Sequence, residues 1–246
     1  MPDDAKGRPP DLPHIISRLA GDIVWALAPQ EGDAEVCGSV VRALIQCGGD
    51  VEELVRRTPA CDVRKFSYRK LIVRHRGEAR QAYFKIFLPD FSWKWRRGLR
   101  CFRTPAEREA GWFKRVADLG VDVVDVLAVG LLPWRRCGIV QSPSFLVTAS
   151  SLETTSLAEA VKAGTLSPAQ RLEISRTITN LADALHGKGV GHLDMIASNV
   201  LYDPAAGRLL LCDLERTCRL PRFGKAHRIA QDMRKVQRTL DLLRAA

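Results

Sequence analysis

The chain has 246 residues, enough for one large domain or two lobes with a substantial apolar core. Hydrophobic residues make up 46% of the sequence and charged residues 27%, which is typical of a soluble globular protein. The formal net charge of +10 favours an anionic partner: nucleic acid, a phospholipid surface, or a phosphorylated or carboxylated substrate. The most apolar stretch, Val121 to Trp134, is too short for a membrane span and includes Asp122 and Asp125. The acidic, Pro-rich start predicts no secretion signal.

The cysteines are scattered without a C-x-x-C pair, and their spacing suits neither a zinc site nor a disulfide framework. We expect reduced thiols in a cytoplasmic protein, most of them acting as small buried hydrophobic residues. The seven positions are Cys37, Cys47, Cys61, Cys101, Cys137, Cys212 and Cys218.

Residues 1–60 are predicted to form an N-terminal extension. Residues 1–13 are polar and Pro-rich, which predicts disorder. Residues 14–28 and 34–57 predict short helices, the second interrupted at Gly48-Gly49. No function follows from this part of the sequence.

A β-rich half follows, predicted as residues 61–148. Val63 to Arg76 and Ala79 to Leu88 predict two strands around a turn at Gly77. A Thr-Pro-Ala-Glu capping box at Thr104 predicts a helix that ends near Gly120. Two more apolar strands are predicted at about 122–130 and 138–148.

The remaining residues, 149–246, predict a mainly helical half. Ser167 opens a second capping box and a helix to about His186. A hairpin is predicted from Val200–Tyr202 and Leu209–Cys212, and a last helix over about Arg228 to Leu243. The elements together predict an α+β fold, with a β-rich half that carries one main helix followed by a mainly helical half.

Three short motifs have the order and spacing of a phosphotransferase active site. A lysine on a strand, Lys85, is followed by H-x-D-x-x-x-x-N, which places Asp194 five residues before Asn199, and then by Asp213 after the predicted hairpin. These are the parts of a kinase: a phosphate clamp, a base and two metal ligands.

Lys85 is the predicted phosphate clamp, and it needs a carboxylate on the next helix to hold it. Glu109 is the candidate partner. Glu107 is the rival, although its place in the capping box gives it another role. A strand lysine between apolar residues can also be an edge or snorkelling residue.

Asp194 lies on a predicted loop, where an aspartate is ordinarily a turn former. As the catalytic residue it would accept or orient the proton of the substrate hydroxyl. Asn199 and Asp213 would offer hard oxygen ligands to Mg²⁺. His192 is interpreted as a hydrogen-bonded structural residue of the loop.

Other features leave alternatives open. Glu215 follows Asp213 by two residues and either adds a carboxylate near the metal or lies in a surface turn. No glycine-rich loop precedes Lys85; the basic stretch 64–70 either covers phosphate or is a solvated turn. The basic and aromatic stretch 91–103 suits a membrane interface or acidic glycan, a nucleic-acid strip, or a partly packed surface loop.

The sequence resembles the lipopolysaccharide core kinase family, the bacterial heptose and Kdo kinases, over about residues 60–235. The resemblance is carried by Tyr83-Phe84-Lys85-Ile86, Ala106-Glu107-Arg108-Glu109, Ser144-Phe145-Leu146-Val147-Thr148, His192-Leu193-Asp194 with Asn199, and Asp213-Leu214-Glu215. Leu193 and Tyr83 depart from the residues usual in protein kinases.

The resemblance implies a bilobal protein-kinase-like fold, with a β-rich N-lobe carrying one main helix and a reduced, mainly helical C-lobe. It also implies an ATP- and Mg²⁺-dependent kinase that phosphorylates a sugar hydroxyl of the lipopolysaccharide core. It implies a peripheral position at the cytoplasmic face of a bacterial inner membrane, with 91–103 as the membrane contact and no nucleic-acid partner. The hinge that meets adenine would be Val147 to Leu152, including Val147 and Ala149.

Two other functions use the same residues. A Rio-like or aminoglycoside-type kinase would act on a protein or a soluble small molecule. A pseudokinase would bind nucleotide without turnover, although the retention of Lys85, Asp194, Asn199 and Asp213 speaks against it.

Overall fold

A computed structural model describes residues 33–47, 50–58, 61–67, 69–77, 80–88, 104–132, 134–136, 139–141 and 143–245. The predictions for residues 1–13, 14–28 and 91–103 lie outside the described residues. The described chain is a mixed α/β structure in which an antiparallel sheet is followed mainly by helices and short strands.

The elements form a strand-rich first part of the chain and a more helical second part. In the first part they are α1 (Asp33–Cys47), α2 (Val51–Arg57), β1 (Cys61–Phe66), β2 (Lys70–Arg76), β3 (Arg80–Phe87), α3 (Pro105–Asp118), β4 (Asp125–Leu131), β5 (Trp134–Arg136), β6 (Ile139–Gln141) and β7 (Ser144–Ser151). In the second part they are β8 (Thr155–Ser156), α4 (Leu157–Lys162), α5 (Pro168–Gly187), β9 (Val190–Gly191), β10 (Val200–Asp203), β11 (Arg208–Leu211), β12 (Cys218–Arg219) and α6 (Lys225–Ala245).

Residues 61–151 supply a five-stranded antiparallel sheet in the order β1-β2-β3-β7-β4. β3 is its central strand, and Lys85 is paired with Ile72 of β2 on one side and Leu146 of β7 on the other. Alternate side chains of β3, including Phe84 and Ile86, are fully buried in the apolar core of the sheet. The strand that carries Lys85 is therefore fixed on both sides.

The predicted single strand from Val63 to Arg76 is wrong, because the structure has two antiparallel strands there. The chain turns between Ser67 and Lys70, where the Ser67 amide donates to the Lys70 carbonyl at 2.8 Å and the Lys70 amide donates to the Ser67 hydroxyl at 3.2 Å. A serine that bonds the backbone ahead of it is a turn former. The strand predicted over Ala79 to Leu88 is observed as β3.

Helices α1 and α2 pack on the core of the sheet. Val40, Val41 and Leu44 of α1 and Leu54 of α2 are buried in the same apolar cluster as the sheet residues. The Asp50 carboxylate caps α2 by accepting the amides of Glu52 and Glu53, which satisfies donors that the first turn of a helix leaves unpaired.

The chain separates into two compact units. One comprises the residues up to Ala110 together with Asp125–Leu152, and the other comprises Gly111–Val124 and Glu153–Ala246. The division predicted at residues 60 and 148 stays a prediction.

The second unit is built mainly on α5 and α6. Ser167 caps α5 in the predicted box: its hydroxyl accepts the Gln170 amide, and the Gln170 side chain accepts the Ser167 amide. Strands β10 and β11 form the predicted hairpin, and β8 adds a third strand to it. Among the described residues, no helix is both long and apolar enough to cross a membrane.

The cysteines that the structure describes in side-chain detail form no disulfide; they are Cys47, Cys61, Cys212 and Cys218. Cys61 is buried in the core of the sheet, and burial raises the pKa of its thiol. The other three are half-buried.

Candidate active site

Lys85 and Glu109 form a buried ion pair in the first unit. The Lys85 ammonium lies 2.9 Å from both carboxylate oxygens of Glu109, and the Glu109 side chain is 1% exposed. Lys85 also lies over the ring of Phe87, 5.3 Å from its centroid. Because β3 is the central strand of the sheet, the interpretation of Lys85 as an edge residue does not fit the structure.

Glu107, the rival partner, is occupied by the helix start. Its carboxylate accepts the Thr104 amide at 2.6 Å, and its own amide donates to the Thr104 hydroxyl at 3.2 Å. This is the reciprocal capping box that the sequence predicts. Glu109, two residues further along α3, is the carboxylate that reaches the lysine.

The two residues predicted to contact adenine lie within β7. Val147 and Ala149 are buried, and each is paired with β3 on one side and β4 on the other. Because β7 is paired on both sides, its backbone groups at these residues bond to the neighbouring strands. Leu152 is the first residue beyond β7 and is 43% exposed, and the chain enters the second unit after it.

The second unit positions Asp194 on the loop that follows β9. Gly191 at the end of β9 packs closely, since an added Cβ would lie 2.9 Å from the end of the Leu220 side chain, which would have to shift. Leu193 has a φ of 60°, the one positive φ of a non-glycine residue in the described part of the chain. A left-handed residue of this kind costs about 1–3 kcal/mol and persists where surrounding contacts enforce it.

Those contacts come from Asp232 on α6, a residue that sequence reasoning missed. Its carboxylate accepts the His192 amide at 2.8 Å and the Leu193 amide at 2.9 Å, and it lies 3.1 Å from Nε2 of His186. Asp232 is 1% exposed, so these bonds form away from water. They hold the backbone immediately before Asp194 in one conformation.

A signal for Asp232 is present in the sequence. Along α6 it occupies the buried stripe that continues through Val236, Thr239, Leu240 and Leu243. A carboxylate on the apolar stripe of an otherwise basic helix must find buried donors, and here the donors are loop amides.

His192 is a structural residue of this loop, as predicted from its position. It is fully buried, and its Nδ1 accepts the Asp194 amide at 3.3 Å, which places the ring proton on Nε2. Burial lowers the pKa of His192, although Asp232, Asp213 and Asp194 oppose the shift. The ring is therefore held neutral beside Asp194.

Asn199 and Asp213 are brought together with the loop. The Asn199 side-chain amide donates to the Asp194 carbonyl at 2.9 Å, so its carbonyl oxygen faces the other way. The backbone amide of Cys212 donates to the backbone carbonyl of Asn199 at 3.1 Å, which places Asp213 next to Asn199. An amide oxygen and a carboxylate form an oxygen donor set of the kind that suits Mg²⁺.

Glu215 contributes its backbone to the same turn. Its amide donates to the Asp213 carboxylate at 3.2 Å, which orients that carboxylate, and Glu215 is half-buried. Either role predicted for its side chain stays a prediction.

Two cations face the Asp194 carboxylate. The Lys235 ammonium on α6 lies 3.5 Å from Oδ1, and an Arg216 guanidinium nitrogen lies 3.9 Å from the same oxygen. The side-chain amide of Asn199 lies 3.4 Å from Oδ2. Three donor groups therefore lie within 4 Å of the carboxylate that is the candidate proton acceptor.

The basic stretch 64–70 lies on both sides of the turn between β1 and β2. Arg64 lies 3.5 Å from the Asp62 carboxylate, and Phe66 is 64% exposed. Whether this stretch covers phosphate stays a prediction.

Comparison with known proteins identifies the family. The model of the lipopolysaccharide kinase (Kdo/WaaP) family matches residues 51–245. A solved structure described as WaaP in complex with acyl carrier protein is similar at 19% identity, covering 77% of this chain and 83% of that chain with a TM-score of 0.47. No curated protein gives a significant sequence match. Because the family match spans most of the chain, the chain belongs to the lipopolysaccharide kinase (Kdo/WaaP) family, and it is a kinase.

Proposed function

We propose that this kinase transfers the γ-phosphoryl group of ATP, with Mg²⁺, to a sugar hydroxyl of the lipopolysaccharide core, a heptose or a Kdo residue. The family supports the sugar acceptor. The observation that carries the chemistry is the loop of Asp194, which Asp232 holds by two backbone amides and to which Asn199 is bonded.

The proposal includes a protein-kinase-like fold, with the sheet-containing unit as the N-lobe and the helical unit as the C-lobe. It is supported by the pairing of a central-strand lysine with a helix carboxylate and by a base-bearing loop that precedes a β-hairpin. In this arrangement adenine is bound where the chain leaves β7, at Leu152, with Val147 and Ala149 supporting that position from within the strand.

Asp194 accepts the proton of the sugar hydroxyl as the hydroxyl oxygen attacks phosphorus. Lys85, oriented by Glu109, places a fixed positive charge on the nucleotide phosphates. Asn199 and Asp213 would hold Mg²⁺ through oxygen atoms. When bound, Mg²⁺ supplies neutralisation of the charge on the phosphate oxygens.

The proposed place of action is the cytoplasmic face of the bacterial inner membrane, where the enzyme is peripheral. Its support is compositional: five basic residues are interleaved with bulky apolar residues in 91–103, a stretch outside the described residues. Such a composition suits an anionic lipid or glycolipid surface. We expect no nucleic-acid partner.

An acceptor panel tests this proposal. Purified protein is given γ-labelled ATP and Mg²⁺ with dephosphorylated lipopolysaccharide, a soluble aminoglycoside, or a generic protein acceptor. We expect label in the glycolipid alone, and its loss on chelation of Mg²⁺. Label in a soluble acceptor or in protein, with none in the glycolipid, would contradict the proposed substrate.

A further inference from the structure

Three residues of α6 each contact a different part of the loop that carries Asp194. Asp232 accepts the amides of His192 and Leu193, Lys235 lies beside Asp194, and the Thr239 hydroxyl donates to the Met195 carbonyl at 3.2 Å. The spacing i, i+3, i+7 puts the three on one side of the helix. The bonds on either side of Asp194 therefore fix where Lys235 stands relative to that carboxylate.

The contact between Lys235 and Asp194 is not a closed ion pair. The separation of 3.5 Å exceeds the 2.7–2.9 Å that is typical of a charge-assisted hydrogen bond. The Lys235 side chain is 28% exposed, and an ammonium offers three donors. The geometry leaves donor capacity on the exposed side of Lys235 for a second anion.

The loop itself brings no cation to this position. The residues from Asp194 to Asn199 read Asp-Met-Ile-Ala-Ser-Asn, with no lysine or arginine. Transfer of a phosphoryl group spreads negative charge over its three equatorial oxygens, and catalysis depends on stabilising that charge. A cation therefore has to come from another element, and α6 supplies one.

The position of Lys235 suits the transferring group. An acceptor hydroxyl on Asp194 lies about 2.6–3.2 Å from a carboxylate oxygen, and the phosphorus it attacks lies about 3–3.5 Å beyond. An ammonium within 3.5 Å of the same carboxylate reaches phosphoryl oxygens by a change of side-chain rotamer.

We propose that Lys235 is a catalytic residue that binds the transferring phosphoryl group; this rests on the proposed function. The bond from the sugar oxygen to phosphorus forms as the bond from phosphorus to the β–γ bridging oxygen breaks, and ADP leaves with the electron pair. The hydroxyl proton goes to Asp194, and Lys235 stays protonated throughout.

Arg216 is the other cation near Asp194, and it is less suited to this role. Its guanidinium lies at 3.9 Å, its side chain is 56% exposed, and it stands in the segment between β11 and β12 rather than on the helix that anchors the loop. Arg238, exposed on α6, provides a matched control because it is a cation of the same helix, whereas the ion pairs described for Asp194 are with Lys235 and Arg216.

The test measures binding of Mg²⁺-ADP with and without aluminium fluoride, which imitates the transferring phosphoryl group. The full chain is compared with the variants Lys235→Gln, Lys235→Arg and Arg238→Gln. We expect all four proteins to bind ADP alone within a few-fold of each other. Fluoride should tighten ADP binding by the wild type, and Lys235→Gln should lose about 10²-fold of that tightening.

Lys235→Arg should recover part of the effect and Arg238→Gln should retain all of it. The turnover rate should change in the same way as the fluoride effect. The kcat of Lys235→Gln should be about 10²-fold below that of the wild type, with KM for ATP within a few-fold. Equal fluoride tightening in Lys235→Gln and wild type would overturn the role of Lys235 alone. Absence of Mg²⁺-dependent ADP binding by the wild type would refute the proposed function and this role together.

Discussion

Removing one member of the Lys85–Glu109 pair is expected to destabilise the protein far more than removing both. At 2.9 Å and an effective dielectric constant of about 20, the attraction between the two charges is about 6 kcal/mol. Desolvation of two buried ions costs several kcal/mol each, so the pair as a whole contributes little net stability. A single substitution leaves a charge buried without its partner, which costs about 3–5 kcal/mol.

Lys85→Met and Glu109→Leu are each expected to lower the free energy of unfolding by that amount, and their combination should recover most of the loss. A loss of this size lowers Tm by roughly 6–20 °C in a chain of this length. All three variants should lack phosphotransfer. Stability and catalysis are thereby separated, because the double variant is stable and inactive.

The assay is a double-mutant cycle by urea unfolding, with transfer activity measured on the same proteins. Lys114→Met is the matched control, because Lys114 pairs with Asp118 at 3.0 Å on α3 with both side chains about 60% exposed. Its expected cost is below about 1 kcal/mol. If the double variant were no more stable than the weaker single variant, the reasoning from burial would be refuted.

Three further predictions concern the second unit. Burial lowers the pKa of His192, so the free energy of unfolding should be constant above about pH 6.5 and should fall below it as the unfolded chain takes up the proton. In urea titrations at different pH, His192→Gln should flatten this loss of stability at low pH. An unchanged loss would contradict the assignment. Asp232→Asn leaves a loop amide without an acceptor. It should lower kcat about 10²-fold and speed hydrogen exchange of the backbone amides of residues 192–195. Unchanged exchange would show that Asp232 does not hold the loop. Ser167→Ala removes the α5 cap and should cost about 1 kcal/mol in thermal unfolding, and no measurable cost would mean that the cap is unimportant.

Local chemistry explains what could be predicted from the sequence. The boxes at Thr104 and Ser167 involve residues three apart, so the bonds that form them are visible in a short window of sequence. The hairpin of β10 and β11 is predicted on the same local basis, whereas the pairing of Lys85 with a carboxylate on the next helix is predicted from the kinase motif. The turn at Ser67 was missed because a continuous run of strand-forming and basic residues surrounds it.

Long-range partners explain what could not be predicted. The buried stripe of α6 indicates that Asp232 needs buried donors but not which ones, and they are backbone amides 40 and 39 residues earlier in the chain. Lys235 and Arg216 are ordinary basic residues until the fold places them beside Asp194. The sequence motif therefore supplied the candidate reacting residues, whereas the residues that contact and orient them required the structure.

The most direct measurement of the central claim is the mass of the core oligosaccharide after incubation of dephosphorylated lipopolysaccharide with ATP, Mg²⁺ and either wild type or Asp194→Asn. Asparagine keeps the shape of the side chain and an oxygen that accepts the Asn199 side-chain amide, but it cannot take up the hydroxyl proton. The account predicts one added phosphate with the wild type and none above background with the variant. Equal phosphorylation by both proteins, or none by a wild type that turns over ATP on another acceptor, would contradict it.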